Sequence, residues 1–203
     1  MNTKFKVVLA IIIFAGGWIM GSSNNVAPVI TSSVGGASYS GGFQTDVSVG
    51  AVPHRNVLGT VHIVNPGDSI QTAVETAQPG DTIQVMPGTY SETVYIDKDD
   101  IHLVGVIEQG NRATMDGLGK LNDAILYSGN NIIIENFRIT RYKGNGIMGQ
   151  AGNNFEIRNN VIVDTGIYGI FPQLGTNGLV EHNVVSGIED AAIYIGMSDN
   201  IHV

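Results

Sequence analysis

The sequence predicts an all-β solenoid, a fold in which short parallel strands stack coil upon coil. Its composition is the first observation: only 14% of the residues are charged, whereas 27 of the 203 are Gly and 18 are Asn. An average soluble domain carries about 25% charged residues, so this chain favours turns over exposed helices. The second observation is a series of short apolar runs of β-type residues separated by Asn or Gly. The third is that these runs recur at one spacing over the last third of the chain.

That spacing is 23 residues. Six columns of similar residues keep it without a gap. They are Asn131, Asn154, Asn177 and Asn200; Ile134, Ile157, Val180 and Val203; Ile139, Ile162 and Val185; Ile147, Ile170 and Ile193; Gly146, Gly169 and Ala192; and Phe137, Asn160 and Asn183. Helical repeats need about 33 residues or more. Three short strands in about 23 residues fit a triangular coil, stacked on the next at about 4.8 Å.

Residues 1–23 have the pattern of a secretory signal. Lys4 and Lys6 precede an apolar run over 7–19, and small residues follow at 21–23. The run is short for a bilayer span of about 20 residues, so we expect export to the periplasm or the extracellular space. One alternative is an uncleaved anchor in the inner membrane, which would be the only membrane contact that the sequence predicts. A second alternative is that this segment is a strand of the core. The absence of Cys excludes disulfides and a lipoprotein anchor, and it favours a bacterial or archaeal envelope protein.

Residues 24–58 are predicted to be a Gly/Ser-rich linker, with a short extended strand as the alternative, and the solenoid is predicted over 59–203. Its first elements are a strand at 61–64 and a helix that Asp68 or Ser69 caps. Ile70, Ala73, Val74 and Ala77 form the apolar face of this helix, which we expect to cover the open first coil. Gln71 has capping-box spacing. Further strands are predicted at 82–85, 93–96 and 101–104, with turns at 65–67 and 87–88.

Three segments, 69–73, 79–85 and 87–90, resemble the opening coil of right-handed parallel β-helix proteins of the pectin-lyase-like superfamily. Residues 114–117 resemble a turn of their early coils, and 168–172 and 190–196 resemble a bacterial group of parallel β-helix repeat proteins. The resemblance covers 61–203 and implies a right-handed parallel β-helix with a short N-terminal capping helix. It also implies a polysaccharide-facing surface on the first strand of each coil and the loop before it. The superfamily includes lyases, hydrolases, epimerases and proteins with no known reaction, so the question of enzymatic activity stays open.

The resemblance directs attention to the outward residues of that strand. Pectinases of this fold place clustered carboxylates there, for acid–base chemistry or to hold calcium. Here the expected outward positions are Gly, Ala, Met and aromatic residues, so no catalytic residue, metal ligand or cofactor is assigned. The resemblance leaves calcium open as a bound ion, but the sequence shows no cluster of acidic residues to hold it. The expected outward positions are Gly146, Gly169, Ala192, Met148, Phe171 and Tyr194.

An aromatic stripe is the candidate ligand site instead. Phe171 and Tyr194 lie in one column, and aromatic faces suit the apolar face of a sugar ring. Tyr168 and Asp190, at the loop edge of the same strand, could donate or accept hydrogen bonds with hydroxyl groups. The alternative is that the rings only pack neighbouring coils together.

Other polar residues have structural interpretations. Arg141 and Asp164 are 23 residues apart, so we expect an ion pair on the surface, and His182 replaces Asn in the column of Asn136 and Asn159. The other His residues, His54, His62, His102 and His202, share neither a column nor a metal-like spacing.

Three functional classes remain. The first is an exported protein that binds or processes a polysaccharide, and the second is a non-catalytic scaffold for adhesion or protein contacts. The third, metal delivery, is disfavoured by the scattered His residues. The net charge of −8 argues against nucleic acid. Because 200–203 enter a fourth repeat, we expect further coils or a partner chain to cap the open end.

Overall fold

The computed structural model describes residues 59–203 and shows a parallel β-solenoid of about six coils. The all-β right-handed β-helix expected from the sequence is thereby confirmed. The predicted signal at 1–23 and the linker at 24–58 lie outside the described residues. Within 59–203 there is one helix, and no helix is long and apolar enough to cross a membrane.

The strands form three sheets, and each full coil contributes one strand to each sheet. Sheet I has the order β1-β2-β5-β9-β12-β15-β18, sheet II the order β16-β13-β10-β7-β3 with β6 antiparallel on β7, and sheet III the order β17-β14-β11-β8-β4. The elements in chain order are β1 (Val61–Val64), α1 (Ile70–Thr76), β2 (Thr82–Val85), β3 (Gly88–Tyr90), β4 (Val94–Ile96), β5 (His102–Gly105), β6 (Ile107–Glu108), β7 (Asn111–Asp116), β8 (Ile125–Tyr127), β9 (Ile133–Glu135), β10 (Arg138–Thr140), β11 (Ile147–Gln150), β12 (Glu156–Arg158), β13 (Val161–Val163), β14 (Tyr168–Gln173), β15 (Thr176–Glu181), β16 (Val184–Ser186), β17 (Ala191–Ile193) and β18 (Asp199–His202).

The 23-residue period is the strand register. Ile147 pairs with Ile170, which pairs with Ile193, so each column of the sequence is a row of neighbours on successive coils. The period breaks upstream of β9 because the β6–β7 hairpin is inserted between β5 and β8. This hairpin, and β3 beginning at the predicted turn residue Gly88, are not foreseen by the sequence pattern.

The apolar columns form the core. Six Ile residues from three columns have no exposed surface. Each fully buried side chain of this size contributes roughly 1.5–3 kcal/mol to stability, and stacking identical residues lets each row pack without voids. They are Ile134, Ile139, Ile147, Ile157, Ile162 and Ile170.

Asn residues turn the chain between sheets I and II. Asn136, Asn159 and His182 have φ of 70°, 56° and 55°, the left-handed region that Asn tolerates better than most residues. The position of His182 in this column is confirmed. The side-chain ladder itself is made by the next residues, because the amide of Asn160 donates to Asn183 Oδ1 at 3.1 Å. The asparagines therefore turn the backbone and join the coils.

Helix α1 covers the first coil, with Ile70 and Val74 buried. Ser69 is the N-cap and accepts from Thr72 N at 3.2 Å. The predicted capping box is wrong, since Gln71 Oε1 accepts from Tyr95 N at 2.7 Å instead of closing the helix end.

Glu92, which lies between β3 and β4, accepts hydrogen bonds at the N-terminal end of α1. The carboxylate of Glu92 accepts from Ser69 Oγ and Ile70 N, both at 2.9 Å, and from Gln71 N at 3.1 Å. At the other end, Lys98 Nζ donates to three carbonyl groups that the helix leaves free. These are the oxygens of Val74 at 3.1 Å, Glu75 at 2.6 Å and Ala77 at 2.7 Å. Two charged residues of the following coil thus fasten the cap helix to the solenoid.

We expect Glu92→Ala to lower the free energy of unfolding by about 2 kcal/mol, because three donors at the helix N-terminus lose a charged acceptor. The midpoint of thermal unfolding should fall by about 5–8 °C. Glu108→Ala removes an exposed carboxylate that forms no side-chain hydrogen bond within 59–203, and it should change the midpoint by less than about 2 °C. Equal midpoints for the two variants would show that Glu92 does not fasten the helix.

Candidate functional site

The outer face of sheet III carries a continuous row of large side chains. Strand pairing places Tyr95 beside Leu126, Leu126 beside Met148 and Met148 beside Phe171. Tyr194 continues the row. It directly follows β17, its N–H donates to Ile170 O at 3.0 Å, and its side chain is exposed. Tyr95 is 39% exposed and Tyr194 47%. We name these five residues the apolar stripe.

Three aromatic rings gather at one end of this stripe. The Tyr168 ring lies 4.8 Å from Phe171 and is stacked on Tyr194 at 5.0 Å, with ring planes 19° apart. The centroids of Phe171 and Tyr194 are 5.3 Å apart. The structure therefore brings together the three aromatic residues that the sequence singles out. We name Tyr168, Phe171 and Tyr194 the aromatic cluster.

The small residues beside the stripe are not where the strand pattern puts them. Gly146 and Gly169 are predicted to point outward, but both are buried. A Cβ on Gly169 would lie 2.4 Å from Val185 Cγ1, and one on Gly146 would lie 2.8 Å from Ile162 Cγ2. Strict alternation fails because two consecutive buried residues separate the outward Tyr168 from Phe171. The prediction that Gly146 and Gly169 point outward is therefore wrong, whereas Ala192 is exposed as predicted.

Polar residues occupy the edge of the stripe instead. Asp123 Oδ1 accepts from Asn145 N at 2.8 Å and from Asn145 Nδ2 at 2.7 Å. Asn145 lies beside Met148, with 3.6 Å between Nδ2 and Sδ, and its own Oδ1 is buried without a hydrogen-bond partner among residues 59–203. The sequence reasoning missed both residues. Their position in the sequence could have identified them, because each lies two residues before a buried Ile of sheet III, as Tyr168 does.

Asp190 lies at the same edge, next to Tyr168. Partial burial of the ring and the nearby negative charge of Asp190 raise the pKa of Tyr168. The phenol therefore stays protonated at neutral pH and can act as a hydrogen-bond donor. The predicted proximity of Tyr168, Phe171, Asp190 and Tyr194 is present in the structure. Their predicted role in ligand binding stays a prediction.

A groove of about 430 Å³ runs between the loops that lead into sheet III. Arg141 lies here, and its Nε donates to Asp116 Oδ1 at 2.9 Å. This hydrogen bond holds the pKa of Asp116 below its usual range. The expected Arg141–Asp164 ion pair is wrong, since their contact is a backbone bond from Arg141 N to Asp164 O at 3.0 Å. The groove is lined by Gly119, Arg141, Tyr142, Lys143, Asp164, Thr165, Gly166, Gly187 and Glu189.

The two shortest carboxylate–His pairs among residues 59–203 are on sheet I and at its first edge. Glu135 accepts from Arg158 Nε at 2.7 Å and lies 2.8 Å from His102 Nε2. Burial by itself would raise the pKa of Glu135, but the hydrogen bonds from Arg158 and His102 outweigh it and lower the pKa. His62 is similarly 2.8 Å from Asp81. In the described part of the chain, no three or more His, Asp or Glu residues are grouped to hold a metal ion.

Comparison with known proteins identifies the family. A model of the right-handed beta helix region matches residues 76–203, which is more than half of the chain. Among solved structures, the chain is similar to an alginate lyase from Paenibacillus sp. str. FPU-7, with a TM-score of 0.57 and 15% identity over 70% of this chain. The match spans 57% of the length of that lyase, and at this identity it shows a common fold. No curated protein matches the chain significantly. The register of sheets I to III and the family match agree: the chain belongs to the right-handed β-helix family.

Proposed function

We propose that this is an exported protein that binds a polysaccharide along the outer face of sheet III. The observation that carries the proposal is the aromatic cluster, which is partly exposed and continuous with the apolar stripe. Because the stripe crosses five strands, it offers an extended surface along the solenoid axis, and an extended polymer fits it better than a small molecule. The similarity to an alginate lyase supports a polysaccharide as the class of ligand.

The chemistry of the face suits a sugar. Aromatic rings pack against the apolar faces of pyranose rings, and hydroxyl groups need polar partners at the edge of the same surface. Asp123, Asn145 and Asp190 supply that edge, and Gln150 and Gln173 follow on the other side of Met148 and Phe171. The proposal assigns binding to this face and assigns no reaction to it.

We expect the double substitution Phe171→Ala/Tyr194→Ala to weaken glycan binding about tenfold or more, since each residue presents an outward ring on this face. Affinity electrophoresis in native gels measures it, with soluble β-glucan, galactomannan, alginate and polygalacturonate as the embedded glycans. Val184→Ala is the matched control, because Val184 is exposed on sheet II and its loss leaves sheet III intact.

Thermal unfolding of the same variants separates binding from packing. Ring pairs at these distances stabilise by roughly 0.5–1.5 kcal/mol each, so a fall of a few degrees is expected in the double variant. If the folded variant bound every glycan as the unsubstituted protein does, the aromatic cluster would be a packing element. That result would favour the second candidate function, a non-catalytic scaffold, for which the mutual stacking of the three rings is the supporting observation.

A further inference from the structure

We infer that the face of sheet III selects an uncharged polysaccharide and disfavours polyuronates. This inference rests on the proposed binding function and names its substrate class. It differs from what the alginate lyase similarity alone would suggest, because alginate is a polymer of uronic acids. The charges around the aromatic cluster carry the inference.

Carboxylates border the apolar stripe without cations to balance them. Asp123 accepts hydrogen bonds from Asn145, one coil along the polar edge, and Asp190 directly precedes Ala191, which pairs with Tyr168. Neither is in an ion pair within residues 59–203. A polyuronate lying along the apolar stripe would bring its carboxylates near Asp190 at the aromatic cluster and near Asp123, three strands away in sheet III, and like charges repel.

The cations of the neighbouring loop groove do not reverse this balance. Arg141 is neutralised by Asp116, to which it donates. Lys143 lines the groove together with Asp164 and Glu189, so the lining has two carboxylates beside this one ammonium group. Counting Asp116, the groove has three acids for two bases, and the edge of the stripe adds Asp123 and Asp190.

The hydrogen-bonding chemistry of the edge points the same way. The carboxylates of Asp123 and Asp190 only accept hydrogen bonds at neutral pH, and sugar hydroxyls can donate to them. A uronate carboxylate only accepts, and it would need Arg, Lys or N–H donors. The side-chain amide of Asn145 at this edge already donates to Asp123 Oδ1 at 2.7 Å.

Affinity electrophoresis with two classes of glycan tests the inference. The neutral probes are soluble β-glucan and galactomannan, and the acidic probes are alginate and polygalacturonate, at low salt with either calcium or EDTA. We expect the unsubstituted protein to bind a neutral probe about tenfold or more tightly than either polyuronate. Asp123→Asn/Asp190→Asn should raise the ratio of polyuronate to neutral binding about threefold or more, because the amides keep hydrogen-bonding groups at the edge but remove its negative charges. Glu108→Gln/Asp199→Asn changes the net charge equally at exposed positions without side-chain hydrogen bonds in the described part of the chain, and it should leave both affinities unchanged.

The outcomes separate the two proposals. Polyuronate binding equal to or tighter than neutral binding, with or without calcium, would overturn the inferred selectivity while supporting the binding function. An equal gain of polyuronate binding in the control pair would show that net charge, rather than Asp123 and Asp190, sets the preference, and would also overturn it. Retardation by none of the four glycans would remove both proposals.

Discussion

Ile170→Asp should unfold the solenoid. Ile170 has no exposed surface and lies in the middle of an inward column, between Ile147 and Ile193 on the neighbouring coils. A carboxylate there would lie in the apolar core and find no basic partner among residues 59–203, and burying an unpaired charge costs more than about 5 kcal/mol. That cost is comparable with the whole stability of a typical domain. We expect the β-type circular dichroism to be lost at room temperature, or the unfolding midpoint to fall by more than about 15 °C.

Ile167→Asp is a control in the same coil. Ile167 is three residues earlier and 42% exposed, so the new carboxylate stays in water. Its effect should lie within about 0.5 kcal/mol. Because both variants make the same chemical change, only burial distinguishes them. A stable Ile170→Asp protein would contradict the inward assignment of this column.

The fold could be read from the sequence because the solenoid repeats its environment. A residue such as Ile157 meets equivalents on both sides, Ile134 and Val180, so the same size and polarity are required at each coil. Position in the period therefore reports position in space. The first coils lack this redundancy, and the β6–β7 hairpin breaks the spacing between Leu103 and Ile134.

Long-range contacts at the helix ends are invisible to a local pattern. The capping box predicted from Gln71 uses only the residues next to the helix, whereas the actual acceptor, Glu92, comes from the following coil. The burial of Gly169 was not predicted for a similar reason. Alternation along one strand cannot show that Val185, from another sheet, fills the space where a side chain of residue 169 would lie. Both errors come from inferring a tertiary contact from neighbours in sequence.

The site was predicted in part for the same reasons. Phe171 and Tyr194 share a 23-residue column, and the structure brings them together with Tyr168. Asp123 and Asn145 were not predicted because they are 22 residues apart, one fewer than the 23-residue period by which the other columns were recognised. The polar edge of the face is thus built where the repeat becomes irregular.

Asn160→Leu should destabilise the protein by about 2–6 kcal/mol. Asn160 is fully buried, and its Oδ1 accepts from Phe137 N at 3.0 Å while its Nδ2 donates to Ile134 O at 3.1 Å. Leu has a similar volume but offers neither group. Two backbone groups of the preceding coil would lose their side-chain partners in the interior, at about 1–3 kcal/mol each.

Calorimetry and urea unfolding measure this loss, with Asn111→Leu as the control. Asn111 is exposed at the start of β7 and forms no side-chain hydrogen bond within residues 59–203, so its replacement should change the free energy of unfolding by less than about 0.5 kcal/mol. The contrast matters because both variants exchange an amide for an apolar group. Only at Asn160 does that exchange remove links between coils, since Nδ2 also donates to Asn183 Oδ1 at 3.1 Å. If both variants unfolded at the same urea concentration, the apolar columns alone would hold the coils together and the buried amide of Asn160 would add nothing to stability.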